Sequence, residues 1–347
     1  MVVYQCKLIV AGQFAQAGNV AANNIAAWDG HNWLPLLQGL NGEVRALAVH
    51  NGKLYVGGKF TSAGLLSNVN NIASWDGSNW ASLDNGLTGT GLVFVSALLS
   101  TPNGLVAGGQ FQNAGQTSAL QTNNIAQWNG TSWNANFNTI NQVFNGPVYS
   151  LRNYSNQLYV AGTFNSPALN SARWNGSSWI SNAGGINLFN SLPYNGIAAQ
   201  YEYGGNLIVG GHYRNADNVP LTQSISKWNG SNWTSMSGGD VPDTIEAVRD
   251  FIRYDNKLYA AGEFSKIGNT LANGVAEWDG INWFSTNHPN KIAWALAAFD
   301  SCGMLPCDLY SAGEGFVNRW KCITAIDQYS RDHLFKIIPN PASNRVR

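Results

Sequence analysis

Residues Leu54 to Trp80, LYVGGKFTSAGLLSNVNNIASWDGSNW, decide the fold of this 347-residue chain. The stretch contains an apolar run that ends in Gly57-Gly58, an aromatic residue two positions later, a polar loop, and a Trp-Asp-Gly-x-x-Trp element that begins at Trp75. The same unit recurs along the whole sequence. The chain is therefore a repeat protein, and the repeat has to be interpreted before any single residue.

Two repeated signals give the number of units. The Trp-(Asp/Asn)-Gly-x-x-Trp element occurs six times, with its paired tryptophans at Trp28 and Trp33, Trp75 and Trp80, Trp128 and Trp133, Trp174 and Trp179, Trp228 and Trp233, and Trp278 and Trp283. A seventh, degenerate copy retains only Trp320. The glycine that ends the apolar run occurs seven times, at Gly12, Gly58, Gly109, Gly162, Gly211, Gly262 and Gly313. Since the blades of β-propellers repeat about every 40–50 residues, the sequence predicts seven blades.

The second unit shows why each blade should have four strands. Residues 44–49 and 53–58 are apolar runs separated by Asn51-Gly52, a strong signal for a tight hairpin. Residues 71–75 and 79–83 form a second such pair around Asp76-Gly77. We therefore predict an all-β fold, a seven-bladed β-propeller of four-stranded antiparallel blades, spanning residues 1–323. Its units are about 1–40, 42–87, 92–140, 147–187, 195–239, 246–287 and 292–323.

Unit seven lacks the Trp-Gly hairpin, so we expect its blade to be incomplete or closed by N-terminal residues. The hairpin tryptophans should pair across neighbouring strands, where aromatic pairs stabilise a sheet by roughly 0.2–1 kcal/mol. We interpret these tryptophans as scaffold. A row of tryptophans can also bind sugar rings, and that alternative stays open.

Composition narrows the possible partners. Formal net charge is zero and only 11% of residues are charged, which argues against nucleic acid or an anionic membrane as a partner. No apolar run is long enough for a membrane-spanning helix. The five histidines are not spaced as a metal pair, and no nucleophile motif is present. We therefore predict no metal, no cofactor and no catalytic residue, and we consider an enzyme less favoured but open.

Alignment of the units suggests weak candidates for a binding site in the central channel. Arg45, Tyr149 and Arg249 occupy one position of the innermost strand. Together they could hold an anion or a polar ligand, although a water-filled channel explains them as well. The longer loops between second and third strands should share one face with the connections between blades. We expect that face to bind the ligand, because loops on a rigid scaffold carry recognition.

The repeat resembles the kelch-type β-propeller, because a strand ending in Gly-Gly is followed by an aromatic residue and a tryptophan. The fuller pattern, with Gly-Gly-x-Phe before Asn-Ile-Ala-x-Trp-Asp-Gly-x-x-Trp, is similar to repeats of secreted bacterial propellers and of fungal Rax2-like cell-surface proteins. It covers residues 8 to about 320. This resemblance implies the fold and is nearly silent on function, since propellers host unrelated activities.

The four cysteines lie only in units one and seven. We favour the pairs Cys302–Cys307 and Cys6–Cys322, the second of which would tie the last blade to the first. A Cys307–Cys322 pair within unit seven is the rival, and a zinc site is a further possibility. Disulfide bonds would indicate an oxidising compartment.

The tail changes character after residue 323. Residues 324–334 are polar and are interpreted as a linker, and residues 335–347 contain FKIIPNPASN. This segment resembles the start of the C-terminal sorting domain of type IX secretion substrates in Bacteroidota. The resemblance implies that the type IX machinery is a partner and that the protein is secreted or held at the outer-membrane surface.

Together these features predict a secreted or cell-surface propeller that acts as a binding or adhesion module for glycans or proteins. The alternatives are a structural subunit of an extracellular assembly and a glycan-active enzyme, a lyase or hydrolase. A pocket that holds two carboxylates about 5–10 Å apart would favour the glycan-active enzyme.

Overall fold

The computed structural model describes residues 1–115, 120–137, 142–189, 196–236, 247–288, 292–299, 308–313, 315–320 and 335–338. Within these ranges the chain consists of strands, turns and loops and contains no α-helix. None of the described residues therefore belongs to a helix long and apolar enough to span a membrane. Successive antiparallel sheets make the protein an all-β, seven-bladed propeller, as the repeat count predicts.

Blades one to six are four-stranded antiparallel sheets whose strands follow each other in the chain. From the innermost to the outermost strand, blade one contains Val2–Tyr4, Lys7–Ala11, Ile25–Trp28 and Trp33–Pro35, and blade two contains Glu43–His50, Lys53–Lys59, Ile72–Trp75 and Trp80–Ser82. Blade three contains Phe94–Thr101, Gly104–Gln110, Ile125–Trp128 and Trp133–Asn134, and blade four contains Val148–Tyr154, Gln157–Gly162, Ser171–Trp174 and Trp179–Ser181. Blade five contains Gly196–Tyr203, Asn206–His212, Ile225–Trp228 and Trp233–Thr234, and blade six contains Ala247–Tyr254, Lys257–Glu263, Val275–Trp278 and Trp283–Ser285.

Blade seven has three strands of its own, Ala295–Phe299, Asp308–Gly313 and Phe316–Trp320. Phe335–Ile338 pairs with the third of these strands and, on its other side, with the N-terminal strand Gln16–Ala17. N-terminal residues therefore join the seventh sheet, as expected, with a C-terminal strand between them and blade seven. The linker and sorting-domain boundaries stay predictions, because residues 321–334 and 339–347 lie outside the described ranges.

The two faces of the ring carry different connections. The hairpin face carries the tight turns that join innermost to second strands and third to outer strands. The loop face carries the loops between second and third strands and the connections between blades. The two-residue strands Leu87–Thr88 and Asn113–Ala114 pair on the loop face, and Ile186–Asn187 pairs with Asn215–Ala216. This pairing confirms that the two kinds of loop share one face.

Two further short hairpins occur within single loops of this face. They are Ser62–Ala63 with Leu66–Ser67 in blade two, and Lys266–Ile267 with Thr270–Leu271 in blade six. In blade one, Gln16–Ala17 and Val20–Ala21 form the equivalent hairpin. The loops of blades one, two and six therefore each contain a short two-stranded hairpin.

The glycine pair in the repeat follows from close packing. A β-bulge in the innermost strand of blade two lies opposite the second glycine. A Cβ on Gly58 would lie 2.1 Å from the carbonyl oxygen of Glu43, a backbone atom that cannot easily move. A Cβ on Gly57 would lie 2.5 Å from Cγ1 of Val95 in the next blade. Glycine is therefore required at these two positions because the backbone of the neighbouring strand and a side chain of the next blade lie too close for a Cβ atom.

A buried asparagine fixes the loops of several blades. The backbone N–H of Phe14 donates to Oδ1 of Asn24 at 3.1 Å, and Nδ2 of Asn24 donates to the carbonyl oxygen of Leu40 at 2.8 Å. Asn124 and Asn170 make the same two contacts in blades three and four. Each of these side chains satisfies buried backbone groups that would otherwise be costly, so the asparagine of the repeat is structural.

Candidate functional site

The predicted channel residues occupy a β-bulge near the loop face. The pairing register shifts between Val44 and Ala46, and the equivalent shifts enclose Tyr149 and Arg249. The structure therefore places Arg45, Tyr149 and Arg249 at equivalent bulge positions of three different blades. Their role in ligand binding stays a prediction.

Arg45 and Tyr149 belong to a chain of contacts across three blades. The Arg45 guanidinium is 2.8 Å from Oε2 of Glu43 and lies 4.4 Å from the ring centroid of Phe94. The ring of Phe94 stacks on Tyr149 at 6.2 Å. Burial raises the pKa of the Tyr149 hydroxyl, while the charge of Arg45 acts in the opposite direction. These contacts tie blades two, three and four together.

Arg249 also has a carboxylate partner. Its Nη2 lies 3.0 Å from Oε1 of Glu263, which is on the second strand of the same blade. Since each arginine is already paired with a carboxylate, an anion at this mouth of the channel would have to compete with both pairs. The arrangement favours a structural use of these residues over anion binding.

The hairpin tryptophans form tilted pairs. The Trp75 and Trp80 rings are 5.1 Å apart, and the two residues lie directly opposite each other on neighbouring strands. All hairpin tryptophans except Trp174 are between 1% and 8% exposed. Nε1 of Trp80 donates to the carbonyl oxygen of Leu36, and Trp133 makes the equivalent bond to Leu83. Burial and these bonds between blades support the scaffold interpretation over a row of sugar platforms.

Trp174, the partly exposed member of this set, lines a cleft between blades three and four. The cleft opens on the hairpin face and has a volume of about 1270 Å³. Almost half of its lining residues are Asn or Gln, and Glu202 is its charged residue. Phe137 lies edge-on to Trp174, with the ring centroids 5.7 Å apart. An aromatic surface among amides can hold an apolar ring face and bind its polar substituents.

One residue in blade three accounts for the partial exposure of Trp174. In five other blades, the first tryptophan of the hairpin shares a hydrophobic cluster with one residue of the preceding blade. That residue lies on the second strand, directly after its leucine. The pairs are Ile9 with Trp75, Tyr55 with Trp128, Tyr159 with Trp228, Ile208 with Trp278, and Tyr310 with Trp28. For Trp174 this residue is Val106, the smallest of the set. A smaller side chain covers less of the indole, so the cleft opens here.

A second short residue stands beside Val106 in the cleft wall. At the end of the innermost strand, Tyr154 donates its hydroxyl to the carbonyl oxygen of Gly205 in the next blade at 2.9 Å. Thr101 holds the same position in blade three, and its hydroxyl donates to Gly104 of its own hairpin. The junction of blades three and four therefore has a threonine where a tyrosine elsewhere links two blades.

A smaller cleft lies at the same junction on the loop face, with a volume of about 320 Å³. Its polar groups are largely used within the protein. Nε2 of Gln112 donates to Oγ1 of Thr90, and Nδ2 of Asn124 donates to the carbonyl oxygen of Phe144. The exposed Leu92 forms part of its wall. This cleft is the feature of the loop face that best matches the predicted binding surface.

The larger cleft on the hairpin face was missed by the sequence analysis. The signal was available, because Leu105-Val106 stands where other units have Leu-Tyr or Leu-Ile. Its meaning depends on knowing that this position covers a tryptophan of the following blade. Spacing within one unit cannot show that contact.

The part of the chain that the structure describes contains no group of three or more His, Cys, Asp or Glu residues arranged to hold a metal. Cys6 takes part in a disulfide bond. Cys302, Cys307 and Cys322 lie outside the described residues, so the predicted pairings stay predictions.

The chain matches no protein-family profile and no curated protein. In fold it is similar to the WD40 β-propeller domain of Doa1, with a TM-score of 0.53 and 15% identity over 89% of this chain and 86% of that one. It is also similar to the extracellular domain of BT4673, a proposed one-component system from B. thetaiotaomicron. That TM-score is 0.52 at 13% identity, covering 91% of this chain and 40% of the other. At these identities the likeness shows the fold alone.

Proposed function

We propose that this propeller is a secreted or cell-surface binding module whose ligand is a neutral, hydroxyl-rich molecule of the glycan class. The observation that carries the proposal is the chemistry of the two clefts between blades three and four. Both are lined mainly by amide, hydroxyl, aromatic and small side chains. Amides both donate and accept hydrogen bonds, as sugar hydroxyls do.

The charge of the protein supports a neutral ligand. The whole chain has zero formal net charge, and the arginines of the channel mouth are paired with glutamates. A ligand recognised by hydrogen bonds and aromatic contact should bind with little dependence on ionic strength, because screening acts on charges.

The experiment is a screen of the whole chain against an array of neutral, acidic and amino glycans, at two salt concentrations. We expect binding to at least one neutral glycan, with similar affinity at about 50 and about 500 mM salt. Folded protein that bound no glycan would reject the proposal. Binding confined to acidic glycans at low salt would point to a charge-driven site instead.

The extracellular location is part of the same proposal. The similarity of the repeat to kelch-type and Rax2-like secreted propellers supports it, as does the Pro339-Asn340-Pro341 sequence that resembles a sorting domain for type IX secretion. Replacing these three residues with alanine in the natural host should leave the protein in the periplasm. Unchanged secretion of the variant would remove the type IX machinery as a partner.

We also propose that all four cysteines are oxidised in the secreted protein. The disulfide bond of Cys6 supports this, and a Cys6–Cys322 bond would close a very long loop, which in chain-entropy terms stabilises a fold by several kcal/mol. Peptide mass mapping under non-reducing conditions should find Cys302–Cys307 and Cys6–Cys322. A Cys307–Cys322 pair would support the rival connectivity, and four free thiols would contradict the oxidising compartment.

A further inference from the structure

We propose that the hairpin-face cleft between blades three and four binds an extended oligosaccharide, with one sugar ring stacked on Trp174. This inference rests on the proposed glycan-binding function and names the site and the length of the ligand. It differs from the initial expectation, which put recognition on the loop face.

Trp174 has the surroundings of a binding platform. The Trp179 ring lies 5.2 Å from it, and Phe137 meets it edge-on. These neighbours hold the indole in place, while the partly exposed remainder of its surface lines the cleft. A sugar ring presents C–H groups on its faces and hydroxyls at its edge, so an aromatic plane beside amides fits both parts of it.

Three amide side chains of the cleft are available to a ligand. The side chains of Asn103, Asn153 and Gln157 line the cleft and make no hydrogen bond within the described part of the chain. In the loop-face cleft, Gln112 and Asn124 are already bonded to protein groups. The larger cleft therefore offers donors and acceptors that a ligand can use without breaking protein contacts, which favours it as the site.

The size of the cleft favours an extended ligand. Its volume of about 1270 Å³ exceeds the roughly 300–1,000 Å³ typical of small-molecule pockets. It runs from Trp174 on the third strand of blade four to Asn153 and Glu202 on the innermost strands of blades four and five. A single sugar would contact only part of this length, so affinity should grow with the number of sugar units.

Glu202 sets the charge preference at the inner end. It is exposed, and it forms no ion pair within the described residues. A carboxylate on the ligand would meet this like charge, which is unfavourable even in a partly solvated site. The cleft should therefore favour neutral oligosaccharides over acidic ones.

The test uses gluco-, xylo- and N-acetylglucosamine oligosaccharides of one to six units, measured by calorimetry on the whole chain. The first variant is Trp174→Ala, which removes the platform. The second is Val106→Tyr. Blades two, four and seven have a tyrosine at this position, and that tyrosine covers the first hairpin tryptophan of the following blade. Leu92→Ala, in the loop-face cleft, is the matched control.

We expect the wild-type affinity to rise with chain length up to at least three units. Trp174→Ala and Val106→Tyr should each weaken binding at least tenfold, while Leu92→Ala leaves it unchanged. Val106→Tyr should not lower the Tm, because tyrosine already fills this position in Tyr55, Tyr159 and Tyr310. If Val106→Tyr does not fold, the effect of Trp174→Ala on binding still tests whether this cleft is the site.

The outcomes separate the two proposals. Wild-type binding that survives both cleft variants, or that is lost in Leu92→Ala, would overturn the site while leaving the glycan-binding function in place. Folded wild-type protein that bound no oligosaccharide series would overturn both proposals.

Oligogalacturonates test the charge preference. They should bind wild type at least tenfold more weakly than the best neutral series, and Glu202→Gln should narrow that gap at least threefold. Equal affinity of wild type for the acidic and neutral series would overturn this part of the inference.

Discussion

The junction of blades two and three and the junction of blades three and four can be compared at two positions, one on the innermost strand and one on the second strand. At the first, Tyr55 packs with Trp128, and Nδ1 of His50 lies 2.9 Å from Oγ of Ser100 in the next blade. At the second, Val106 and Thr101 hold the equivalent positions, and a large cleft opens beside Trp174. The second and third strands of blades two and three pair in the same register. Smaller side chains between two blades of a repeat scaffold can therefore open a cleft.

The largest expected difference between the junctions is the cost of losing the first hairpin tryptophan. Trp128→Ala should lower the free energy of unfolding by about 3–5 kcal/mol, the usual range for a buried tryptophan. Trp174→Ala should cost less, about 1–3 kcal/mol, because part of its surface is already in water. Chemical denaturation of both variants measures the difference. Equal losses would mean that Trp174 is as deeply packed as its counterpart.

The next prediction turns the closed junction into an open one. Tyr55→Val should uncover Trp128 and lower the free energy of unfolding by about 1.5–3 kcal/mol, the contribution of one buried large side chain. Burial raises the pKa of the Tyr55 hydroxyl, which agrees with its packed environment. Acrylamide should quench the tryptophan fluorescence of the variant more strongly than that of wild type, because the indole of Trp128 becomes accessible. Unchanged quenching together with unchanged stability would show that Tyr55 does not cover the indole.

The comparison also shows what could be predicted from the sequence. Strand order and the Trp75–Trp80 pairing depend on contacts within one unit, and blade number follows from the glycine signal, which occurs seven times, and the Trp pair, which occurs six times. Closure by Phe335–Ile338 could not be predicted, because the strand comes from outside the repeat. The large cleft depends on Val106 meeting Trp174 from the neighbouring unit. A contact between units becomes visible only once the blades are arranged in a ring.

A smaller effect should come from the hydrogen bonds that link blades at the hairpin face. Tyr154→Phe removes the bond to Gly205 and should cost about 0.5–1.5 kcal/mol, the net value of a typical protein hydrogen bond. Thr101→Val, at the open junction, removes only a bond within one hairpin and serves as the control. Thermal unfolding of both variants compares the two losses of stability. A larger loss of stability in Thr101→Val than in Tyr154→Phe would contradict the proposed link between blades.

The smallest expected effect concerns the tight turns of blades two and three. Oδ1 of Asp76 accepts the N–H groups of Ser78 and Asn79, while Asn129 makes the same bonds in blade three. The bonds hold the pKa of the Asp76 carboxyl below its usual range. A lowered pKa means that the carboxylate stabilises the fold above about pH 4, the unfolded value, and that this contribution is lost as pH falls through the folded value.

Asn129, in the equivalent turn of blade three, carries no charge that acid could remove. Asp76→Asn should therefore give the turn of blade two the same insensitivity to acid. The variant should lose less stability than wild type between about pH 4 and pH 2. Urea midpoints at a series of pH values measure this slope. Asn129→Asp is the reverse variant and should steepen it, because a carboxylate in the same turn would have its pKa lowered by the same backbone N–H groups. Parallel slopes for wild type and both variants would show that these turns do not contribute to acid sensitivity.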